Sequence, residues 1–313
     1  MGTDKHSGKI VVIGAGNVGA TVTYSLLLQK LGTEIVLIDT DEDKASGAVA
    51  DMQHSTSFYT SSRVRPGGYE ECDGADIIIV TAGVGRKPGQ TRIDLAKTNV
   101  EIAKDIAKTI KKYNSDPLVL VVSNPVDIIT YVIQRELDLP ASRCIGTGTS
   151  LDTARLRHAC ATQLNMDIRD MRVYMCGEHG DSMFPVWSSA SVGGAPLKEL
   201  LEASGANCDE MLERTVNIAA DIIRKRGATF YGIGNVTARI AKMILMDENS
   251  TFPVSKVQQG EYMGLEGVAT SLPYIVGRGG LGKGIPISMD KGEQESFMRS
   301  AQKLKDVLKE VLG

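Results

Sequence analysis

The amino-acid sequence predicts an α/β protein in two parts, a doubly wound parallel sheet followed by a mixed α+β unit. Two observations carry the first part. Short β-branched runs alternate with longer helical patterns, and the runs are apolar almost without a break. Strands of that kind belong to a parallel sheet with helices on both faces, and the βαβαβ rhythm is that of a doubly wound fold. A change of texture after about Cys144 marks the second part, where strands follow one another in series, as in antiparallel sheets.

In chain order, KIVVI (9–13) reads as a strand, 17–31 as a helix and EIVLID (34–39) as a second strand. Residues 41–54 are helical in pattern, ADIIIVTAG (75–83) is a strand, 94–113 a helix, LVLVVSN (118–124) a strand and 126–137 a helix. Further on, a helix over 150–164 leads into VYMCGEHGDS, and helices follow over 209–226 and 235–246. A glycine-containing meander occupies 252–286, and an amphipathic helix over 291–312 closes the chain. The expected boundary lies near residue 145, giving units over 1–145 and 146–313, with no internal repeat or low-complexity linker.

A chain of 313 residues, 42% hydrophobic and 23% charged, has the bulk for two packed units. Its formal charge of −3 is too balanced for a nucleic-acid or membrane surface, so any pull on an anionic ligand must come from a few local arginines. No run approaches about 18 uncharged apolar residues, the length of a membrane-spanning helix. The polar opening MGTDKHSGK does not read as a signal peptide. Cys72, Cys144, Cys160, Cys176 and Cys208 are scattered and form no CxxC pair. They indicate neither a disulfide framework nor a metal site, and fit a cytoplasmic protein with reduced thiols.

GAGNVG, with Gly14, Gly16 and Gly19, comes directly after the first strand and opens the first helix. Alone, such a triplet is a weak signal. In this context the first glycine permits the tight turn, the second admits a pyrophosphate to the backbone, and the third lets helix pack on strand. The helix N-terminus then faces the phosphates. Asp39 ends the second strand, twenty residues after Gly19. A carboxylate there accepts the adenosine ribose hydroxyls and repels a 2′-phosphate, so the order reads as a Rossmann site for NAD rather than NADP. A glycine-rich turn with a helix-capping aspartate explains the same order less well.

A lone histidine is usually structural, and His6, His54 and His158 are read that way. His179 differs by its setting in CGEHGDS (176–182). Asp152 and Arg155 lie three apart in SLDTARLR, on one face of a helix. If that helix packs under the 176–182 turn, Asp152 holds His179 in one tautomer and stabilises its protonated form, a pair suited to proton transfer near neutral pH.

GAGNVG, KPGQTR, SNPVD, LDTARLR and GEHGDS, in this order and spanning nearly the whole chain, resemble the L-lactate/L-malate dehydrogenase family. The resemblance implies a dinucleotide domain and a substrate domain, NAD as cofactor, and hydride transfer at C2 of a small 2-hydroxy or 2-oxo acid. It also implies a homodimer or homotetramer. His179 would exchange the proton with the C2 oxygen, Asp152 would orient it, and Arg155 would grip the C1 carboxylate through its two-donor fork. Arg92 would polarise the carbonyl when the loop over 84–95 closes as a lid. Asn124 would position substrate and nicotinamide, and Asn124–Pro125 is a candidate cis bond. Cofactor contacts would come from Gly14, Gly16, Asn17, Val18, Gly19, Asp39, Thr81, Ala82, Gly83, Asn99, Val122 and Asn124.

Most of the chain follows the family's lactate branch: GEHGDS, GTGTSLDTARLR, and RGATFYG with Thr229 on the substrate side. The residue before KPG departs from it, because Arg86 stands where that branch carries Gln and matches the malate branch. A second substrate carboxylate in a closed site needs a cation. A methyl group there would leave Arg86 buried and unpaired at a cost of roughly 3–5 kcal/mol, against roughly 1–3 kcal/mol for small differences in apolar fit. The sequence therefore favours malate/oxaloacetate, with lactate/pyruvate as the alternative. Bacterial lactate-type enzymes often hold a sugar bisphosphate through an Arg and a His; Arg157 and Arg172 stand at the matching positions, a departure from that pair, and are read as allosteric anion ligands or as plain surface charges. An NAD-dependent glycosidase fits less well, since it wants a metal-binding Cys/His set. A non-catalytic NAD-sensing module leaves Arg92, Asp152, Arg155 and His179 without a use.

Overall fold

The computed structural model describes residues 8–58, 61–85, 89 and 91–313. Its first half runs β1 (Lys9–Ile13), α1 (Asn17–Leu28), β2 (Glu34–Ile38), α2 (Glu42–Thr56), β3 (Arg63–Pro66), β4 (Ile77–Val80), α3 (Arg92–Tyr113), β5 (Val119–Val121), α4 (Val126–Leu137) and β6 (Cys144–Gly146). The second half opens with α5 (Ser150–Leu164) and the short strands β7 (Met171–Arg172), β8 (Met175–Cys176), β9 (Phe184–Pro185), β10 (Ser191–Val192) and β11 (Ala195–Pro196). There follow α6 (Leu197–Ala203), α7 (Cys208–Arg226), α8 (Tyr231–Leu245), β12 (Ser250–Gln259), β13 (Glu266–Gly277), β14 (Gly280–Gly284) and α9 (Lys291–Leu312).

The central strands form because β-branched side chains, stiff at χ1, suit a pleated surface buried on both faces. All four residues of β4, IIIV, are fully buried. β1 pairs in parallel with β2 on one side and β4 on the other, so the strand order reverses beside it and opens a crevice at the strands' carboxyl ends. α1 stops at Leu28 rather than Leu31, because the chain turns at Lys30 and Gly32 with φ 56° and 74°. α3 and α9 begin with reciprocal capping boxes, Thr91 with Asp94 and Asp290 with Glu293.

The meander does not form a sheet of its own. β12 pairs antiparallel with β6 at Ser255 and Gly146, giving one nine-stranded sheet in the order β14-β13-β12-β6-β5-β4-β1-β2-β3. The sequence reading put these strands in a separate lobe; in the structure they cover what would be an open parallel edge. The second half's short strands form small sheets, β11-β10-β7 and β8-β9, and a bridge between Gly177 and Ser271 ties the end of β8 to β13. One apolar core runs from Ile10 and Ile79 through Val132 to Leu272, Tyr274 and Phe297. A second, of Leu156, Met171, Met175, Leu197, Leu201 and Met211, lies among α5, α6 and α7. Among the described residues no helix is long and apolar enough to cross a membrane. All five cysteines are free and buried.

Candidate active site

The nucleotide crevice begins where β1 turns into α1. Gly14 takes φ +108° and donates its N–H to the Ile38 carbonyl at 2.7 Å, tying the ends of β1 and β2 together. A Cβ on Gly19 would lie 1.7 Å from the Gly14 carbonyl oxygen, so this close helix–strand approach requires glycine. The Thr81 hydroxyl, just past β4, donates to the Ile13 and Gly14 carbonyls at 3.0 Å each. Gly16 is the N-cap of α1 and brings no capping side chain, so no cap side chain covers the first N–H groups of the helix, at Asn17 and Val18. Asp39 Oδ2 accepts the Ala15 N–H at 2.5 Å, and Oδ1 accepts the Asp41 N–H at 3.0 Å. Partial burial would push its pKa up, but the amides of Asp41 and Ala15, with Lys44, outweigh it and hold the carboxyl below its ordinary value. A groove of about 680 Å³ runs beside it, lined by Ile38, Thr40, Pro66, Gly67 and Tyr69. A helix end without a capping side chain and an ionised carboxylate beside an open groove fit NAD.

Farther along the crevice, Asn99 of α3 acts as a clasp. Its amide donates to the carbonyls of Asn124 (2.8 Å) and Val84 (3.2 Å), and its oxygen accepts the Val84 N–H at 2.9 Å. The Ser123 hydroxyl holds the Ala82 carbonyl at 2.6 Å, next to Gly83 and the nearly buried Val122. The Asn124–Pro125 peptide bond is cis.

The cluster around His179 is assembled on the first turns of α5. The Thr149 hydroxyl donates to the Met175 carbonyl at 2.6 Å, and the Met175 N–H donates to Thr153 Oγ1 at 2.9 Å, pinning β8 on the helix. Gly177 exchanges backbone hydrogen bonds with Ser271 of β13 at 3.1 and 2.9 Å. The turn after β8 is thereby fixed over Asp152. His179 Nδ1 lies 2.6 Å from Asp152 Oδ2, and Arg155 Nη1 donates to Asp152 Oδ1 at 2.9 Å. The carboxylate is 1% exposed, against 27% for the histidine side chain and 14% for the arginine. Burial opposes charging of the ring, but the adjacent Asp152 carboxylate outweighs it and raises the His179 pKa above its usual value. Burial likewise works against the Asp152 anion, and His179 and Arg155 together hold its pKa below the ordinary carboxyl range.

Arg92 opens α3 and pairs with Asp181, two residues from His179, both side chains being exposed at the rim. Thr229 is half-buried between α7 and α8, and Gly232 of α8 packs on Leu151 of α5, beside Asp152. Arg86 lies outside the described residues, as does most of the stretch from Arg86 to Gln90 of the expected lid. Arg157 sits away from this cluster, its guanidinium 5.0 Å from the Tyr174 ring centre and donating to the Val173 carbonyl at 3.0 Å. Arg172 donates to the carbonyls of Arg169 and Met171. One polar group beside the site was not singled out from the sequence. Asp127, within SNPVD, accepts the backbone N–H of His179 at 2.7 Å. Its motif was visible, but a contact to a backbone 52 residues away leaves no spacing signal. Among the described residues no group of three His, Cys, Asp or Glu side chains is placed to hold a metal ion.

Residues 8–146 match the family model described as lactate/malate dehydrogenase, NAD binding domain, and 149–313 match lactate/malate dehydrogenase, alpha/beta C-terminal domain. The chain is 43% identical over 310 residues to L-lactate dehydrogenase 2 of Lactococcus lactis subsp. lactis, covering 97% of this chain and 98% of that protein. It is 40% identical to the L-lactate dehydrogenase of Acetivibrio thermocellus, with 99% of each covered. Among solved structures, the ligand-bound minor L-lactate dehydrogenase of Enterococcus mundtii superposes with TM-score 0.94 at 41% identity, covering 97% and 98%. A lactate dehydrogenase from a Medee basin deep-sea metagenome library, MGS-M5, superposes with TM-score 0.95 at 35% identity, covering 98% and 99%. A Rossmann crevice fitted to NAD, a His–Asp pair at its inner end and this end-to-end likeness lead to one conclusion: the chain belongs to the lactate/malate dehydrogenase family and is an NAD-dependent oxidoreductase acting on the CH–OH group of a 2-hydroxy acid.

Proposed function

We propose that the chain interconverts pyruvate and L-lactate, with His179 as the proton-transfer group. The observation that carries the chemistry is the buried Asp152 carboxylate, which holds His179 on one oxygen and Arg155 on the other. That arrangement keeps an imidazolium available near neutral pH and sets a guanidinium fork beside it for a carboxylate. The choice of substrate is supported by full-length likeness to proteins named L-lactate dehydrogenase and by Thr229, the lactate-branch residue.

In the reducing direction, protonated His179 gives its proton to the C2 oxygen while Arg155 holds the C1 carboxylate. In the oxidising direction the neutral ring takes the proton back. Asp152 keeps Nδ1 engaged in both, which leaves Nε2 to face the substrate. Arg92 leaves Asp181 to meet the charge growing on oxygen. NAD, when bound, supplies or accepts the hydride at C2.

A second reading is favoured by Arg86, whose charge suits the distal carboxylate of oxaloacetate. Steady-state NADH oxidation with pyruvate and oxaloacetate side by side decides between them. Pyruvate is expected to have the higher kcat/KM. Oxaloacetate leading by about a hundredfold, a difference of about 2.7 kcal/mol, would establish malate specificity instead. Turnover of neither would sink both.

A further inference from the structure

We propose that Asp127 is a second positioning carboxylate for His179, fixing the histidine's backbone and, through its own charge, strengthening the hold on the ring's proton. This rests on the reading of His179 as the proton-transfer group. Asp127 stands in the first turn of α4, three residues beyond Asn124, and is 3% exposed. Oδ2 accepts the His179 N–H at 2.7 Å, and Oδ1 accepts the hydroxyl of Ser255 from β12. One buried group therefore joins three parts of the site: the helix that follows Asn124, the turn that carries His179, and the strand that pairs with β6.

An amide and a hydroxyl as partners would satisfy an asparagine equally well, without the cost of burying a charge. The charge makes sense beside a residue whose working form is a cation. Among the described residues, the other carboxylates around His179 each have a cationic partner. Asp152 of α5 is shared with Arg155, Glu178 of the same turn pairs with Lys303 of α9 at 2.8 Å, and Asp181 pairs with Arg92 of α3. Among the described residues no Lys or Arg pairs with Asp127, which leaves its field directed at His179. Burial pushes its pKa up to about 6, against the two hydrogen bonds that favour the anion. The carboxylate is thus present near neutral pH and lost in mild acid.

Asp127→Asn keeps the shape and an acceptor for the His179 amide while deleting the charge. The test is kcat/KM against pH for the complete enzyme with NADH and the better of pyruvate and oxaloacetate. Reduction falls as His179 loses its proton, and in Asp127→Asn that falling limb is expected about one pH unit lower, with KM at acid pH little changed. A limb that stays at the wild-type pH overturns the proposal. If Asp127→Asn does not fold, Ser255→Ala decides: it strips one hydrogen bond from the anion and is expected to move the limb the same way by less. An unmoved limb in a Ser255→Ala enzyme with the wild-type melting temperature counts against Asp127 just as firmly. His179→Asn separates the two layers. If it retains wild-type turnover, the reading of His179 fails and the proposal with it; if it collapses while the Asp127→Asn limb stays put, only the role of Asp127 fails.

Discussion

His179 holds its proton between opposing pressures. Burial disfavours the imidazolium, and the Asp152 carboxylate 2.6 Å away reverses the balance, so the folded pKa is raised. The histidine's stabilising contribution is therefore fully present below its unfolded pKa, about 6.5, and is lost as pH rises through the higher folded value. Asp152 has the opposite sign: its folded pKa is lowered, so its contribution is present above the unfolded value, about 3.9, and is lost as pH falls through the folded one. Asp152→Asn removes the charge and keeps the shape. Reduction of the 2-oxo acid is expected to drop by about a hundredfold or more at neutral pH, with its falling limb at lower pH than in the wild type. A pH–rate profile matching the wild type would show that Asp152 does not set the proton affinity of His179. These residues could be picked from the sequence because Asp152 and Arg155 share a helix face and His179 has a distinctive setting. The Arg92–Asp181 pair and the Asp127–amide contact could not, because each joins elements far apart in sequence.

Helices and strands were readable wherever one periodicity dominated. β1 and α4 have the bounds that their patterns predict, and α9 spans 291–312 as its amphipathic period requires. β3 escaped notice because RVRP is short, charged and at the sheet's edge, and the two-residue strands β7 to β11 are too brief to have a period. The turn between β1 and α1 has a sharper consequence. A Cβ at position 19 would meet the Gly14 carbonyl at 1.7 Å and Thr81 Oγ1 at 2.7 Å, neither of which can give way without opening the crevice. Gly19→Ala is expected to cost about 1–3 kcal/mol of stability and to weaken NADH binding by tenfold or more, about 1.4 kcal/mol. A thermal melt and an NADH fluorescence titration check this. An unchanged dissociation constant would mean that the glycine turn does not hold the cofactor.

The whole molecule is less divided than its sequence suggests. The change of texture near residue 145 is real in composition, yet the sheet crosses it through the Gly146–Ser255 pairing, and one core reaches from β1 to α9. Pairing between strands more than a hundred residues apart is a tertiary fact that no local pattern encodes. A fragment ending at residue 146 would present β6 as a bare parallel edge of buried residues, an invitation to self-association. Such a fragment is expected to elute as oligomers or aggregate on size exclusion; a stable monomer would show that β12 is dispensable. The two family descriptions meet at residues 146 and 149, next to the Gly146–Ser255 pairing that joins β6 to β12. Hybrids built by exchanging halves with a relative would therefore succeed or fail on how well one donor's β12 laces onto the other's β6, whatever the quality of either active-site half.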